Sequence, residues 1–450
     1  MKHTPIQLSD HFTYGRLLRF VLPSIVMMVF TSVYGVVDGF FVSNFAGKTA
    51  FSAINLVMPF VMILGGVGFM IGTGGTALVS KVLGEGDCEK ANRYFTMMIR
   101  LTLGLGVLFS VGGSLAMRPV SLLLGATEAM LPYCVLYGRI VVGFTVAFML
   151  QNVFQSFLIA AEKPRLGLAV TVAAGVTNML LDWLFVGVFR WGVTGAAVAT
   201  GISQCVGGIL PLVYFLRPNS SRLRLVATKM EVKALLQACW NGSSELMSNI
   251  ASSLVSILYN FQLLRFIGED GVSAYGVLMY VQFVFVAVFI GYSIGCAPIV
   301  AYHFGARNRS ELSNLLRKSV FLMSATGIVM CALAYVCAGP FAHLFVGYDA
   351  SLYALTKHAF RLFSFAFLMA GFNIFTSSFF TALNNGTISA AVSFLRTLVF
   401  QTSSVLLLPE LFGVDGIWWA ITIAECCAFV IDIVFLVVKR KKYGYTLRRI

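Results

Sequence analysis

Gly192-Val193-Thr194-Gly195 opens an apolar stretch, and the pattern returns as Gly413-Val414-Asp415-Gly416. The two copies stand 221 positions apart. The same offset carries Gly47 onto Gly268, Gly74 onto Gly295 and Gly84 onto Gly305. It also carries Phe154 and Ser156 onto Phe375 and Ser377. Chance could supply one such pair, but not a constant offset along half a chain. The 450 residues therefore divide into two homologous halves.

Composition sets the class of each half. Hydrophobic residues make up 58% and charged residues 11%, against about 25% charged in soluble domains. So few charges cannot coat a soluble surface. Disorder, collagen and a disulfide-rich secreted scaffold are excluded, and a polytopic membrane protein is left. Of nine cysteines, Cys134, Cys205, Cys296, Cys331 and Cys337 lie inside apolar runs. No CxxC or Cys/His ligand spacing is present, so they read as packing residues and not as a zinc site or disulfide framework. Residues 1–16 are polar and show no cleavage site, so no cleavable signal peptide is expected.

A membrane helix needs roughly 20 apolar residues. Twelve runs qualify: 17–42, 52–82, 95–117, 130–159, 166–189, 191–216, 237–264, 272–303, 318–341, 353–381, 387–409 and 415–438. Runs this long are helices and not barrel strands. Basic residues cluster in alternate loops: Lys81 to Arg100, Lys163 and Arg165, Arg217 to Lys233, Arg307 to Lys318, and the tail from Lys439 to Arg449. The net charge of +14 is then the cytoplasmic loops of a multi-pass protein, with both termini cytoplasmic, and not a nucleic-acid surface.

The expected fold is all-α, with twelve transmembrane helices in two parallel six-helix lobes. Six is even, so both lobes have one orientation and their pseudo-two-fold axis runs along the membrane normal. The boundaries expected are an N-terminal lobe over 1–216, a cytoplasmic linker over 217–236, and a C-terminal lobe with a basic tail over 237–450. Two such lobes enclose a cleft and suit alternating access. No GxxxxGK[ST] is present, so no cofactor is expected, and an ion gradient or passive flow drives transport.

Charged groups inside the runs are costly unless paired, protonated or ion-bound. The carboxylates there are Asp38, Asp182, Glu245, Glu425 and Asp432. Counting at 1.5 Å per residue places Asp38, Asp182 and Thr200 roughly 9–14 Å below the outer face. Asn178 lies one turn from Asp182 on the same helix face. Two carboxylates, an amide and a hydroxyl at one depth form an oxygen-rich site for Na⁺, or a pair sharing a proton. The other half has Tyr259, Val399, Ser403 and Ile421 at the matching positions, an asymmetry that favours function over structure. A plain hydrogen-bonded pair between helices is the alternative. Glu245 falls near the midplane, where it would suit a cationic substrate, and Glu425 could act similarly. Asp432, seven residues from Lys439, reads as a snorkelling or salt-bridged residue.

At these positions the sequence resembles the multidrug and toxic compound extrusion (MATE) family, closest to its DinF-like and bacterial multidrug-efflux branch. The matching stretches are Tyr34-Gly-Val-Val-Asp38, Asn178-Met-Leu-Leu-Asp182 and Gly192-Val-Thr-Gly-Ala-Ala-Val-Ala-Thr200, running on to Ser203-Gln204. The resemblance covers the whole chain. It implies that Asp38, Asn178, Asp182 and Thr200 form a cation-coupling site, for Na⁺ or H⁺, and that Pro23 marks a bend in the first helix. It places Tyr34, Glu245 and Glu425 as candidates for the substrate cleft. Small organic substrates, surrounding lipid, a monomer and the plasma (inner) membrane of a bacterium follow from it. Trp183 departs from the proline many relatives carry after the aspartate, which puts the local helix geometry in question.

The function expected is a secondary antiporter exporting amphipathic, often cationic, compounds, and no enzyme. A lipid-linked glycan or lipid flippase of the same superfamily is the alternative. It calls for cations deep in the cleft, and the runs look nearly free of them. A major-facilitator transporter is disfavoured because Gly84-Glu-Gly-Asp-Cys-Glu-Lys-Ala-Asn92 replaces the basic loop motif of that family.

Overall fold

The computed structural model describes residues 6–45 and 48–446. Gly47 of the repeat, and Lys2, Arg448 and Arg449 of the basic ends, lie outside them. The described residues form helices joined by short turns and by one longer linker, with no strand among them. In the first half, α1 (Tyr14–Phe45), α2 (Lys48–Gly84) and α3 (Cys88–Leu123) are long rods. Helices α4 (Leu131–Gly143) and α5 (Thr145–Ala160) make one crossing bent by 52°. Then α6 (Pro164–Asp182) runs into a π-helical stretch, Trp183–Val188, before α7 (Gly192–Leu216).

The second half repeats the plan. It begins with α8 (Val232–Phe266), α9 (Glu269–Gly305), α10 (Arg309–Val336) and the short α11 (Ala338–Val346). A second bent crossing, 49°, joins α12 (Ala350–Ser364) to α13 (Phe367–Ala382). Next, α14 (Gly386–Phe394), a π-helical stretch Leu395–Phe400 and α15 (Gln401–Phe412) form one span, and α16 (Val414–Tyr443) ends the bundle. Large apolar side chains such as Leu115, 74% exposed, face outward as lipid requires.

The twelve crossings are met in three ways. Among the described residues nine spans are long and apolar enough by themselves, and two more are the bent pairs. The remaining crossing is α8, 35 residues long but diluted by Asn241, Ser243, Ser244, Glu245, Ser248 and Asn249. Such a helix is tolerated where its polar side meets protein and not lipid. The boundaries also differ from hydropathy. α8 starts at Val232, so the non-helical linker is 217–231 and not 217–236. Hydropathy marks the part of a helix in lipid, whereas caps mark its end. Asp87 accepts from the Lys90 amide and Asn308 from the Glu311 amide, starting α3 and α10.

The repeated Gly-Val-x-Gly has one physical role in both lobes. Gly192 and Gly413 take φ of +56° and +60°, where a Cβ would crowd the backbone. The second glycine lets the new helix fold back on the one before. A Cβ on Gly195 would sit 3.1 Å from the Phe185 backbone, and one on Gly416 2.2 Å from the Leu408 carbonyl.

The lobes meet backbone to backbone from the basic face upward. A Cβ on Gly84 would lie 2.0 Å from the Tyr302 oxygen, and one on Gly305 2.0 Å from the Lys81 oxygen. Lys81 and Tyr302 are themselves related by the 221 offset, so this α2–α9 crossing lies on the pseudo-two-fold axis. Higher up, Gly74 would meet Ala238 at 2.0 Å and Gly242 would meet Met70 at 1.9 Å. The segment before α1 adds a strap. Leu8 and Phe12 are fully buried. The Leu8 amide donates to Glu162 of the N-terminal lobe, and the Phe12 amide donates to Glu311 of the C-terminal lobe. His11 Nδ1 stands 2.6 Å from Glu311, and Asn314 donates to both Glu311 and the Phe12 carbonyl. At the opposite end, the core around Ile54, Val57, Met117, Tyr137 and Val142 draws on the N-terminal lobe alone.

Candidate functional site

Helix α6 packs between α1 and α7, which brings Asp38, Asn178, Asp182 and Thr200 into one region of the N-terminal lobe. Asp182 is fully buried and Asn178 nearly so. The Asp38 and Asp182 carboxyl groups face each other closely enough to interact. Yet Asp38 Oδ1, both oxygens of Asp182, Asn178 Nδ2 and Thr200 Oγ1 are buried without a hydrogen-bond partner. More than nine in ten buried polar groups are normally paired. Here all four residues of the expected site carry an orphan.

Two facing carboxylates could not both stay bare. At 4 Å and an effective dielectric of 20 their repulsion is about 4 kcal/mol, before any desolvation cost. A positive charge is wanted, either a proton shared between them or a small hard cation held by carboxylate, hydroxyl and amide oxygens. Tyr137 of α4 stands close to both carboxylates, and Tyr34 of α1 close to Asp38. Tyr34 packs on Phe30 and against Gly175, within reach of Gln151. The structure thus places Tyr34 with Asp38 and not on the central cavity.

The helix itself is distorted at this point. Trp183–Val188 is π-helical and begins right after Asp182. Such bulges are costly and collect at functional sites. Trp183, 56% exposed, turns outward, so the missing proline leaves Asp182 in place. Helix α1 runs unbroken through Pro23, whose ring nitrogen cannot donate to the Arg19 carbonyl.

Between the lobes lies a cavity of about 50 Å³, lined by Thr73, Thr76 and Ser156 from one lobe and Glu245, Ser293 and Ser378 from the other. A drug-sized ligand needs roughly 300–1,000 Å³, so this cavity by itself does not enclose one. Of the three cleft candidates, Glu245 alone lines the cavity. Glu425 is clamped instead. Arg396 donates to it through Nε at 3.0 Å to each oxygen and through Nη2 at 2.8 Å, and Asn373 Nδ2 adds a bond of 2.7 Å.

Two readings of the sequence are corrected here. Arg396 is a largely buried cation, its side chain 19% exposed, inside the run 387–409, so the membrane segments are not free of them. Its single charge was outweighed by the Ile, Ala, Val, Phe and Leu around it in that run. Asp432 neither snorkels nor forms a salt bridge. It is 1% exposed, and both its carboxyl oxygens are buried without a partner. Asn373 also went unread, since one amide in a membrane helix is ordinary helix–helix contact.

Known proteins extend this picture. The chain is 24% identical over 427 residues to the "Multidrug export protein MepA" of Staphylococcus saprophyticus, covering 93% of each. Its fold matches a structure titled as the outward-facing conformation of a multidrug resistance MATE family transporter of the MOP superfamily. That match has a TM-score of 0.92 and 19% identity, and covers 99% of this chain and all of that one. A MATE structure described as the straight conformation also matches at 0.92, with 20% identity and the same coverage. The MatE family model matches residues 23–184 and 246–404, one stretch in each lobe. With well over half of its length matched, and with two lobes, bent fourth and tenth crossings and a shared architecture, the chain belongs to the MatE family.

Proposed function

We propose that this protein is a secondary antiporter that exports amphipathic, often cationic, organic compounds in exchange for Na⁺ or H⁺. The observation that carries the reading is the set of orphaned polar atoms on Asp38, Asn178, Asp182 and Thr200. Two carboxylates with only neutral groups around them bind and release one cation at little structural cost. The name of the staphylococcal relative supports the substrate class. The hydroxyl-lined cavity with one carboxylate, Glu245, suits a cation too.

The basic face is taken as cytoplasmic, with both termini there, in the plasma membrane. The lobes are joined at that face by the α2–α9 crossing and the Phe12 strap, as an outward-facing state requires. Cation binding between α1 and α6 biases the lobes because each conformation holds the cation with a different affinity. Pro23, which weakens α1 by one backbone bond, is where that helix would bend. The protein works as a monomer, without a cofactor.

A glycan flippase is the second reading, and Arg396 is what favours it. Glu425 neutralises Arg396, however, so Arg396 is not free to take a pyrophosphate. The test is uptake of ethidium or tetraphenylphosphonium into proteoliposomes, with a Na⁺ gradient and a pH gradient imposed separately. Transport driven by one gradient and abolished by Asp38→Asn or Asp182→Asn is expected. Wild-type transport in both variants refutes the coupling site. Flux with neither gradient, together with lipid-linked glycan translocation, favours the flippase.

A further inference from the structure

The second lobe holds two buried carboxylates, Glu425 and Asp432, the half-buried Glu245 and one arginine in its interior. Arg396 and Glu425 form a closed pair. Asp432 lies two turns further along α16 on the same face, about 10 Å inside Lys439. It is 1% exposed, and neither of its oxygens has a partner. Its electrostatic neighbours are Arg396 and Glu425, and Arg396 in turn feels Glu245 of the central cavity.

Of the other elements packed on α16, α8 brings Glu245 and Tyr259 and α12 brings Lys357 and Arg361, but the charges that act on Asp432 are Arg396 and Glu425. Helices α13 and α14 contain no titratable residue. Glu410 of α15 is bound to Arg265 at the far end, and His358 of α12 is bound to Asp415 at the start of α16. One arginine therefore serves two carboxylates. Pairing Arg396 with Asp432 would only strand Glu425. As an ion without donors, buried Asp432 would cost several kcal/mol. A single proton on its carboxyl removes that charge.

The lobe is also distorted where this cluster forms. Arg396 stands in the π-helical stretch Leu395–Phe400, as Asp182 borders the one in the other lobe. The two sites are not copies: the offset sets Arg396 against Gly175, Glu425 against Gln204 and Asp432 against Pro211.

We infer that Asp432 is a second proton-binding site, separate from the Asp38–Asp182 site, with Arg396 shared between it and Glu425. The proton comes from water at the basic face, joins one carboxylate oxygen of Asp432, and returns the same way. No other bond is made or broken. This extends the antiport reading, but its test does not depend on transport.

Proton uptake on an acid jump is measured for full-length protein in nanodiscs, in weak buffer with a pH indicator. The background is Asp38→Asn/Asp182→Asn, which removes the N-terminal-lobe site. Adding Asp432→Asn is expected to lose one further proton per protein, and added NaCl is expected to leave that proton in place. Equal uptake with and without Asp432→Asn, or displacement of the proton by NaCl, overturns the inference. Infrared spectra of Glu425→Gln give a check should the triple variant misfold. With its competitor gone, Arg396 pairs with Asp432, and the protonated-carboxyl band of Asp432 disappears. A band that persists unchanged overturns the inference.

Discussion

Replacing Gly84 by alanine tests the claim that the lobes are joined on the basic face by backbone contact. The added Cβ would sit 2.0 Å from the Tyr302 oxygen, and an ordinary contact begins near 3.4 Å. The helices must part by about 1.4 Å at that point, because a backbone carbonyl in a helix cannot turn away. Overpacking of this kind costs about 1–3 kcal/mol. The cost falls on the joined state alone, since the contact vanishes once the lobes separate. With 1.4 kcal/mol per factor of ten, the inward-open population rises roughly 5- to 150-fold. The assay is labelling of Thr76→Cys, on the cavity wall, by a membrane-impermeant maleimide in inside-out vesicles of a cysteine-free background. Labelling should speed up with Gly84→Ala. Gly305→Ala should act alike, since its Cβ meets the Lys81 oxygen at the same crossing. The double variant should cost well below the sum, because parting the helices for one methyl makes room for the other. Unchanged labelling, or full additivity, refutes the reasoning.

Four further outcomes follow from the geometry. Arg396→Met strands Glu425 in a buried position and should cost about 3–5 kcal/mol of stability, while Arg396→Met/Glu425→Gln should recover most of it; thermal melting in detergent decides, and equal losses in both would contradict the buried pair. Glu311→Gln weakens the bonds from the Phe12 amide and His11 and should loosen the strap by about 1.5–3 kcal/mol, read as faster labelling of Thr76→Cys. His11→Ala should change little, below about 1 kcal/mol, because that side chain is 66% exposed; an effect as large as that of Glu311→Gln would move the strap's anchor to the histidine. Gly192→Ala and Gly413→Ala should each lower the melting temperature through strain at positive φ, and indifference to both would deny the repeat its structural role.

Much of the fold was legible because lipid imposes simple rules. A run of apolar residues has to be a helix, and an offset of 221 has to be a duplication. What hydropathy could not show was where helices bend or end. Phe144, between α4 and α5, carries no sign of a 52° break, and Lys233 sits inside α8 because charged residues are good helix formers. The polar residues of the N-terminal lobe were found because two carboxylates cannot hide in a membrane helix. Those of the C-terminal lobe were half missed because distance to the helix end was weighed instead of face. Asp432 is seven residues from Lys439, and it is also seven from Glu425. Two turns bring a side chain back to the same face. Ile421, Glu425, Ala428, Asp432 and Leu436 form one buried stripe on α16. A carboxylate in register with that stripe points into the bundle, whatever its depth. It then competes for whatever cation the bundle contains, and in this lobe the cation is Arg396, within hydrogen-bond reach of Glu425 one helix away.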